Sequence, residues 1–477
     1  MEKQILMIGV STGQNTTNVL PALQMKIDYF VALETSAANK RKWSEGMYRV
    51  LQERGIKTIE PIVLTPEEDS RIDMISDKLH KILTGDFEVL WNLGGGQKAQ
   101  QFALWKTFNE RIQSGKDEIA CYANPESKML EIWGYDNETN RLDYSEVPIE
   151  VKISAKEIFA IYGFDIDLNE GELFYKDEKL LKDSSGISEL MNYKEFREFM
   201  FKLPKTNLNA DENSLNLTRS ELSKKQRSNS KYFDNKIKEF IVNKLNGSSE
   251  ININRVTQII PSLRKYINNL NLNLYLKNGE TEKITLKNNG LIGLLKKITT
   301  RNIAELDISQ DFLLKNFSFQ KTSFLFEEIL EDKVIELIKE NPDNEIYEAY
   351  SNIKVVKHGK TVGEHDILLV TKWGTIISLD AKTFDVESKD LDARLLNLRN
   401  GAGRYVEFIP IFPLYESDIY EKYIPEQILN LPDKIRSKGF RYFTFNNEKN
   451  NKKIIWKETE VDLSPIATLL AKLELIH

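Results

Sequence analysis

The run Ile5-Leu6-Met7-Ile8-Gly9-Val10 is apolar at every position. A strand with one wet face alternates apolar and polar residues. An unbroken run of this length predicts a strand covered on both sides, as in the middle of a parallel sheet. It is too short and too early for a signal peptide, and no small-residue cleavage site follows it. A polar loop, Ser11-Thr12-Gly13-Gln14-Asn15-Thr16, comes next, and a helical pattern starts at Asn18. The alternation then repeats. Strands are predicted at 29–33, 58–64, 87–92 and 118–123. A polar segment at 34–42 leads into a helix through Val50 and Leu51, and helices fit between the later strands. Strands alternating with helices predict an α/β fold with a parallel, doubly wound sheet. Ligands in such sheets sit outside the carboxyl ends of the strands.

The whole chain is longer than one such sheet needs. Its 477 residues and 55.3 kDa predict about three domains at roughly 150 residues each. A net charge of −6 excludes a wholly basic nucleic-acid coat, although not a local basic groove. The single cysteine, Cys121, excludes an intramolecular disulfide and fits a reducing, cytoplasmic compartment. No stretch reaches the roughly 20 apolar residues of a membrane span, so no membrane partner is expected.

Residues 166–320 change character and are rich in Asn, Lys and Ser. A loop followed by a polar helix is predicted over 204–230. Seven basic residues (219, 224, 225, 227, 231, 236 and 238) and two acidic ones lie between Arg219 and Lys238. That stretch reads as an arm facing nucleic acid or, more commonly, as a solvated helix face. Gly279, between the apolar pieces 274–276 and 284–286, predicts a small hairpin. The region reads as a mostly helical insertion.

From 321 to 477 the patterning is strong again. Phe324, Phe326, Ile329, Leu330, Val334, Leu337 and Ile338 recur at helical spacing, and Asn341-Pro342 ends the helix. Strands are predicted at 347–356, 366–370 and 375–381, with turns at His358-Gly359-Lys360 and Trp373-Gly374. A helix near 389–400 and a strand at 406–412 follow. Asp366 is expected to open one strand, and Asp380 lies near the end of the next. Asp380 and Lys382 are two residues apart, so they share a face. Two carboxylates and a carbonyl offer a hard oxygen site for Mg²⁺ or Mn²⁺. A lysine beside them can orient the attacking water. The series Asp366, Asp380-Ala381-Lys382 resembles the PD-(D/E)xK nuclease core. Glu327 on the preceding helix offers a third carboxylate, and Glu364 shares the strand face of Asp366 as a possible support. The plainer alternative is a surface ion pair between Asp380 and Lys382. His365 invites a general-base role, but a lone histidine is more often structural. Arg399, Arg404 and Tyr405 flank Gly401 and Gly403 after the next helix. They suit contact with phosphate and base, or a plain helix cap with solvated arginines.

A second cluster lies near the start. Leu93-Gly94-Gly95-Gly96-Gln97-Lys98 follows a predicted strand and precedes a helix. Its glycines let backbone amides approach phosphate at a helix N-terminus, or simply make a tight turn. It is neither a Walker A loop nor a GxGxxG fingerprint, which argues against ATP hydrolysis. Ser11, Thr12, Gly13, Gln14 and Asn15 would sit at the same edge of the sheet. Together the loops form a polar cradle with one lysine, better suited to holding a nucleotide phosphate than to chemistry.

Taken together, the two ends resemble the CARF-domain nucleases of type III CRISPR systems. The loop at 11–15 and the element Asn92-Leu93-Gly94-Gly95-Gly96-Gln97-Lys98 look like a CARF domain, which usually carries Thr-Gly-Gly-Thr-Lys there. Gly94 and Gln97 replace the two threonines. Residues 154–164 are similar to the linker that follows. Glu327, Glu364-His365-Asp366, Asp380-Ala381-Lys382 and residues 396–405 look like the family's restriction-endonuclease-like domain, with Asp380 where the family usually has Glu. The resemblance implies a Rossmann-like CARF sensor over 1–165 and a PD-(D/E)xK nuclease over 321–477, with nothing carried onto 166–320. It implies a homodimer that binds a cyclic oligoadenylate, most often cyclic tetra-adenylate, and then cuts single-stranded RNA or DNA and nicks plasmid with Mn²⁺ or Mg²⁺. Ser11 to Asn15 and Gly94 to Lys98 would hold the activator. Glu327, Asp366 and Asp380 would hold metal, and Lys382 would position water. Two other readings stay open. One is a CARF-type transcription regulator reading duplex DNA with the basic stretch. The other is an ungated restriction or repair nuclease.

Overall fold

The computed structural model describes residues 3–83, 87–124, 127–136, 139, 141–169, 171–184, 187–200, 232, 235–237, 239–240, 270–276, 281–286, 303–307, 322–383, 388–415, 443–446, 454–456, 459–461, 464–465, 470–471 and 475. The loop and polar helix expected over 204–230 lie outside these residues. So do all the basic residues singled out between 219 and 238 except Lys236. The chain forms two compact units. The first gathers Met1–Asp177, Ile346–Ser378 and Ala393–Glu407; the second gathers Glu178–Glu345, Leu379–Asp392 and Phe408–His477.

The architecture is α/β, with two large sheets. The first is built in the order β1 (Ile5–Val10), α1 (Thr16–Gln24), β2 (Tyr29–Glu34), α2 (Ser36–Lys40), α3 (Trp43–Glu53), β3 (Lys57–Val63), α4 (Ile72–Ile82), β4 (Glu88–Asn92), α5 (Lys98–Gln113), β5 (Ile119–Asn124), β6 (Met129–Asp136) and β7 (Arg141–Pro148). Its strand order is β3-β2-β1-β4-β5-β6-β7. The first five strands are parallel. The chain builds outward from β1 to β3, then crosses back to lay β4 on the other side of β1. A crevice opens at that reversal, outside the carboxyl ends of β1 and β4. Leu6, Ile8 and Val10 join Ile75, Leu79, Leu104, Phe108 and Trp91 in the core, and Met7 on the opposite face is just as buried. Burial on both faces is what the unbroken apolar run requires.

The five strands expected from the sequence form the parallel part; two strands that the sequence did not reveal extend it at one edge. There β5, β6 and β7 pair antiparallel, and β7 is exposed along nearly its whole length. At the other edge β3 carries Pro61, which an edge strand tolerates. The β2–β3 register slips between Val31 and Leu33. Tyr48 of α3 mends the gap: its hydroxyl accepts from the Ala32 N–H at 2.9 Å and donates to the Ile59 carbonyl at 3.0 Å.

Further along come α6 (Ala155–Ile161), β8 (Asp165–Asp167), β9 (Glu172–Lys176), β10 (Lys179–Leu180), a 3-10 turn (Ile187–Asn192) and α7 (Lys194–Met200). The hairpin expected around Gly279 is formed by β11 (Leu270–Leu276) and β12 (Thr281–Leu286), with β13 (Ile303–Asp307) alongside β11. Next are α8 (Thr322–Glu340), β14 (Ile346–Lys357), β15 (Lys360–Thr371), β16 (Ile376–Ala381), α9 (Ser388–Ala402) and β17 (Val406–Tyr415). Last come β18 (Phe443–Asn446), β19 (Ile454–Trp456), β20 (Thr459–Val461) and β21 (Ser464–Pro465). The second large sheet runs β10-β9-β14-β15-β16-β17-β18-β21, with β8 also on β14. Residues 165–180 thus supply three strands to this sheet, where a mostly helical insertion was expected.

His358 and Gly359 join β14 to β15 with φ of 50° and 75°, the mirror-image turn that suits a hairpin. The strand after it begins at Lys360, so Asp366 lies in mid-strand, which corrects the expectation that it opens the strand. Among the described residues no helix is long and apolar enough to cross a membrane.

Candidate functional site

Two places gather polar and charged side chains. The first is the crevice at the reversal of the N-terminal sheet, where loops 11–15 and 93–97 meet. Three buried asparagines lock those loops together. Asn15 Oδ1 accepts from the Thr12 N–H at 2.9 Å and from Asn18 Nδ2 at 3.3 Å, while its own Nδ2 donates to the Trp43 carbonyl at 2.7 Å. Asn18 Nδ2 also donates to the Val10 carbonyl at 2.9 Å. Asn92 Nδ2 donates to Asn18 Oδ1 at 2.7 Å, and Asn92 Oδ1 accepts from the Gly94 N–H at 2.9 Å.

Pro21 explains one further bond. It sits inside α1 and has no N–H for the Thr17 carbonyl four residues back. Asn92 Nδ2 donates to that carbonyl instead, at 3.0 Å. Gly9 makes room for the network, since a Cβ there would stand 2.1 Å from Asn18 Oδ1.

Gly95 and Gly96 have φ of 94° and 86°, a conformation that favours glycine. A Cβ on Gly95 would lie 3.3 Å from Thr17 Oγ1 and 3.4 Å from Thr12 Oγ1. Hydroxyls from the first loop therefore flank the glycines of the second. Gln97 and Gln100 cap α5 reciprocally, and Lys98 is exposed in its first turn. Ser11, Thr12, Gly13, Gln14 and Asn15 are thus brought to the same crevice as Gly94, Gly95, Gly96, Gln97 and Lys98. The arrangement offers hydroxyls, side-chain-free glycine backbone and one ammonium at a helix start, a set that suits a phosphate-bearing ligand.

Glu34 and Asn18 were given no role in the sequence reading, and Asn92 was read only as part of the glycine element. Glu34 ends β2, next to Ser11 at the end of β1. Glu34 Oε1 and Ser11 Oγ are buried with no hydrogen-bond partner among the described residues. An acid closing the second apolar strand, about 20 residues past the first loop, is where dinucleotide folds read a ribose. That spacing was the available signal.

The second place is the end of β16. Asp380 and Lys382 are buried, at 1% and 10% side-chain exposure, and the Lys382 ammonium lies 2.5 Å from Asp380 Oδ2. The Lys382 backbone N–H donates to the Ile411 carbonyl of β17 at 2.9 Å. The alternative of a surface ion pair is therefore excluded: the pair is interior and clamped by its backbone. The neighbouring strand in the sheet, β15, carries Asp366, half-buried between the buried His365 and Ile367.

Across from Asp366 on β14 stands Asn352, bracketed by the pairs Ser351–Ile367 and Ile353–His365. Its φ of 52° kinks the strand there. His365 is spent on structure: Nδ1 hydrogen-bonds Ser378 Oγ at 2.9 Å, and the ring leans on Phe159. Glu364 is exposed, facing Lys354 in register. Glu327 is half-buried on α8. Arg399 and Arg404 are exposed, whereas Gly401 and Gly403 pack against Phe159 and Tyr162 of this chain. Among the described residues no group of three or more His, Cys, Asp and Glu side chains is gathered as a metal cluster.

No family model matches this sequence, and no curated protein matches it. Several solved structures are similar to it at low identity. Protein VC1899 from Vibrio cholerae is 14% identical with a TM-score of 0.49, covering 92% of this chain and 94% of that one. Can2 from Sulfobacillus thermosulfidooxidans, solved with cyclic tetra-adenylate, is 12% identical with a TM-score of 0.47, covering 92% and 95%. A type III CRISPR defence DNA nuclease activated by cyclic oligoadenylate is 10% identical with a TM-score of 0.44, covering 99% of this chain and 51% of that one. Likeness at this level assigns no activity to this chain, which has to be argued from its own residues.

Proposed function

We propose that the chain is a metal-dependent nuclease switched on by a cyclic oligoadenylate, in the manner of a type III CRISPR effector. The carrying observation is the buried Asp380–Lys382 pair at the end of β16. A buried ion pair is a poor source of stability, because desolvation consumes most of its attraction. Such a pair at a strand end, beside the strand of Asp366, is better explained by chemistry than by folding.

Mg²⁺ and Mn²⁺ favour hard oxygens, and one or two carboxylates beside water suffice. Asp366 and Asp380, on neighbouring strands, would hold the ion, and Glu327, which is not gathered with them into a cluster among the described residues, would join as a further carboxylate. The ion would there stabilise charge on the phosphoryl oxygens and acidify its water. Lys382 then holds the attacking water beside the scissile phosphate and offsets developing negative charge. Glu364 supports the strand face of Asp366, and Arg399 and Arg404 meet the nucleic-acid backbone. The substrate is single-stranded RNA or DNA, with nicking of plasmid.

The crevice residues, from Ser11 to Asn15 and from Gly94 to Lys98, hold the activator, cyclic tetra-adenylate being the first choice. A cyclic ligand with two-fold symmetry fits an isologous dimer, so the working form is a cytoplasmic homodimer. In this reading residues 1–165 sense, 321–477 cut, and 166–320 connect them.

The test is cleavage of single-stranded RNA, single-stranded DNA and supercoiled plasmid with Mn²⁺, with and without cyclic tetra-adenylate. Wild type plus activator should cut. Asp380→Asn and the charge-balanced Asp380→Asn/Lys382→Met should bind activator, melt cooperatively and not cut. Cleavage by either folded variant would sink the site. Cleavage by wild type without activator would remove the gate and leave an ungated nuclease.

A further inference from the structure

Loop 11–15 does not end at the crevice. Thr16, the next residue, hydrogen-bonds through Oγ1 to the Tyr162 hydroxyl at 2.9 Å. Tyr162 follows α6 and is buried, and that burial pushes its hydroxyl up to about 12, so it remains protonated at neutral pH. On its other side the hydroxyl abuts Gly403, where a Cβ would stand only 2.2 Å from it. Gly403 has a φ of 84° and closes α9 through its N–H to the Arg399 carbonyl, at 2.9 Å. The Arg404 N–H turns back to Gln14 Oε1 of the crevice loop, at 3.4 Å. The Tyr405 carbonyl accepts from the N–H of Ile376, the first residue of β16, at 3.0 Å. Gly374, in the turn just before β16, packs less tightly: a Cβ there would lie 3.0 Å from Ile153 and 3.9 Å from the Thr16 methyl.

We propose that Tyr162 is a positioning residue that ties occupation of the crevice to the seating of β16, the strand bearing Asp380. The inference rests on the proposed function and gives its gate a physical route. The start of β16 is bonded to Tyr405, whose neighbour Arg404 reaches Gln14, and is preceded by Gly374, which faces Ile153 and Thr16. A strand is stiff along its length, so a shift at Ile376 reaches Asp380 four residues on. Gly403 leaves no slack, because the hydroxyl fills the space a side chain would take. A ligand that pulls on loop 11–15 therefore moves the Tyr162 hydroxyl, the Gly403–Tyr405 corner and the first residues of β16 together. A packed contact of this kind has discrete seats and does not stretch continuously.

The test separates this bond from general packing. Tyr162→Phe keeps the ring and removes one oxygen, and Thr16→Val removes the partner hydroxyl at nearly constant shape. Cyclic tetra-adenylate binding is measured by calorimetry, and the cleavage rate constant is measured at saturating activator. Both variants should bind activator within about twofold of wild type and be activated at least tenfold less. The double variant should be no worse than the poorer single one, as two ends of one bond require. A merely structural tyrosine would lower melting temperature without changing the ratio of activated to unactivated rate. Activation of Tyr162→Phe equal to wild type, or losses that multiply in the double variant, would overturn the inference and leave the nuclease reading standing. Failure of cyclic oligoadenylates of four and of six units to activate wild type would overturn both.

Discussion

Gly9 shows how much one atom can decide. In the sequence it is an interruption in an apolar strand, whereas in the structure its missing Cβ is the space in which Asn18 reaches Asn92. Gly9→Ala should cost about 3 kcal/mol, the upper end for overpacking, because the new methyl meets a hydrogen-bonded amide. Chemical denaturation would measure this loss, and activator affinity should fall with it. The interior pair behaves differently. Asp380→Ala leaves the Lys382 charge buried without its carboxylate and should cost about 3–5 kcal/mol. Asp380→Asn/Lys382→Met should recover much of that in the same denaturation experiment, while cutting stays lost. These residues differ in how far sequence could reveal them. Asp366, Asp380 and Lys382, the proposed cutting site, stand out in the sequence because their spacing is chemical. Asn18, Asn92 and Glu34 do not, because polar side chains on apolar elements signal nothing locally until the fold pairs them.

At the scale of elements, the strands that sequence located best, β1, β2 and β4, are those buried on both faces. The ones it missed have the opposite character. β7 is exposed and carries no apolar run, while β8 and β10 are too short to show a period. Helix α6 was readable from its start, where Ser154 and Glu157 form a reciprocal cap. Arg54 strengthens it by donating to Glu157 from α3's end, through Nε at 2.5 Å and Nη2 at 3.1 Å. Burial alone would push the Glu157 carboxyl up; the bonds from Arg54 and Ser154 outweigh it and hold the group below its ordinary value of 4.5. A carboxyl with a lowered pKa contributes stability above that ordinary value and loses it as pH falls through the folded one. Glu157→Gln should therefore lower the melting temperature at pH 7, and the difference should shrink as pH falls below that ordinary value. Ser154→Ala should cost about 1 kcal/mol at pH 7. Because α6 ends in Tyr162, either change should also blunt activation before it unfolds the chain.

At the scale of the whole molecule, the proposed dimer is directly measurable. Sedimentation equilibrium should give twice 55.3 kDa, with cyclic tetra-adenylate tightening the association, since a ligand bound across two copies favours their pairing. A monomer at all concentrations with activator bound would contradict the two-fold site. One feature of the second sheet reaches beyond the finished molecule. Strand β9 lies antiparallel to β14, yet the two are separated in sequence by roughly 170 residues. At a synthesis rate of roughly 5–20 residues per second, β9 leaves the ribosome on the order of 10–30 s before its partner exists. During that interval its free hydrogen-bonding edge is open to any other strand, including the β9 of a neighbouring nascent chain. The order of the gene thus makes this protein's birth, more than its working life, the period when it most needs a chaperone.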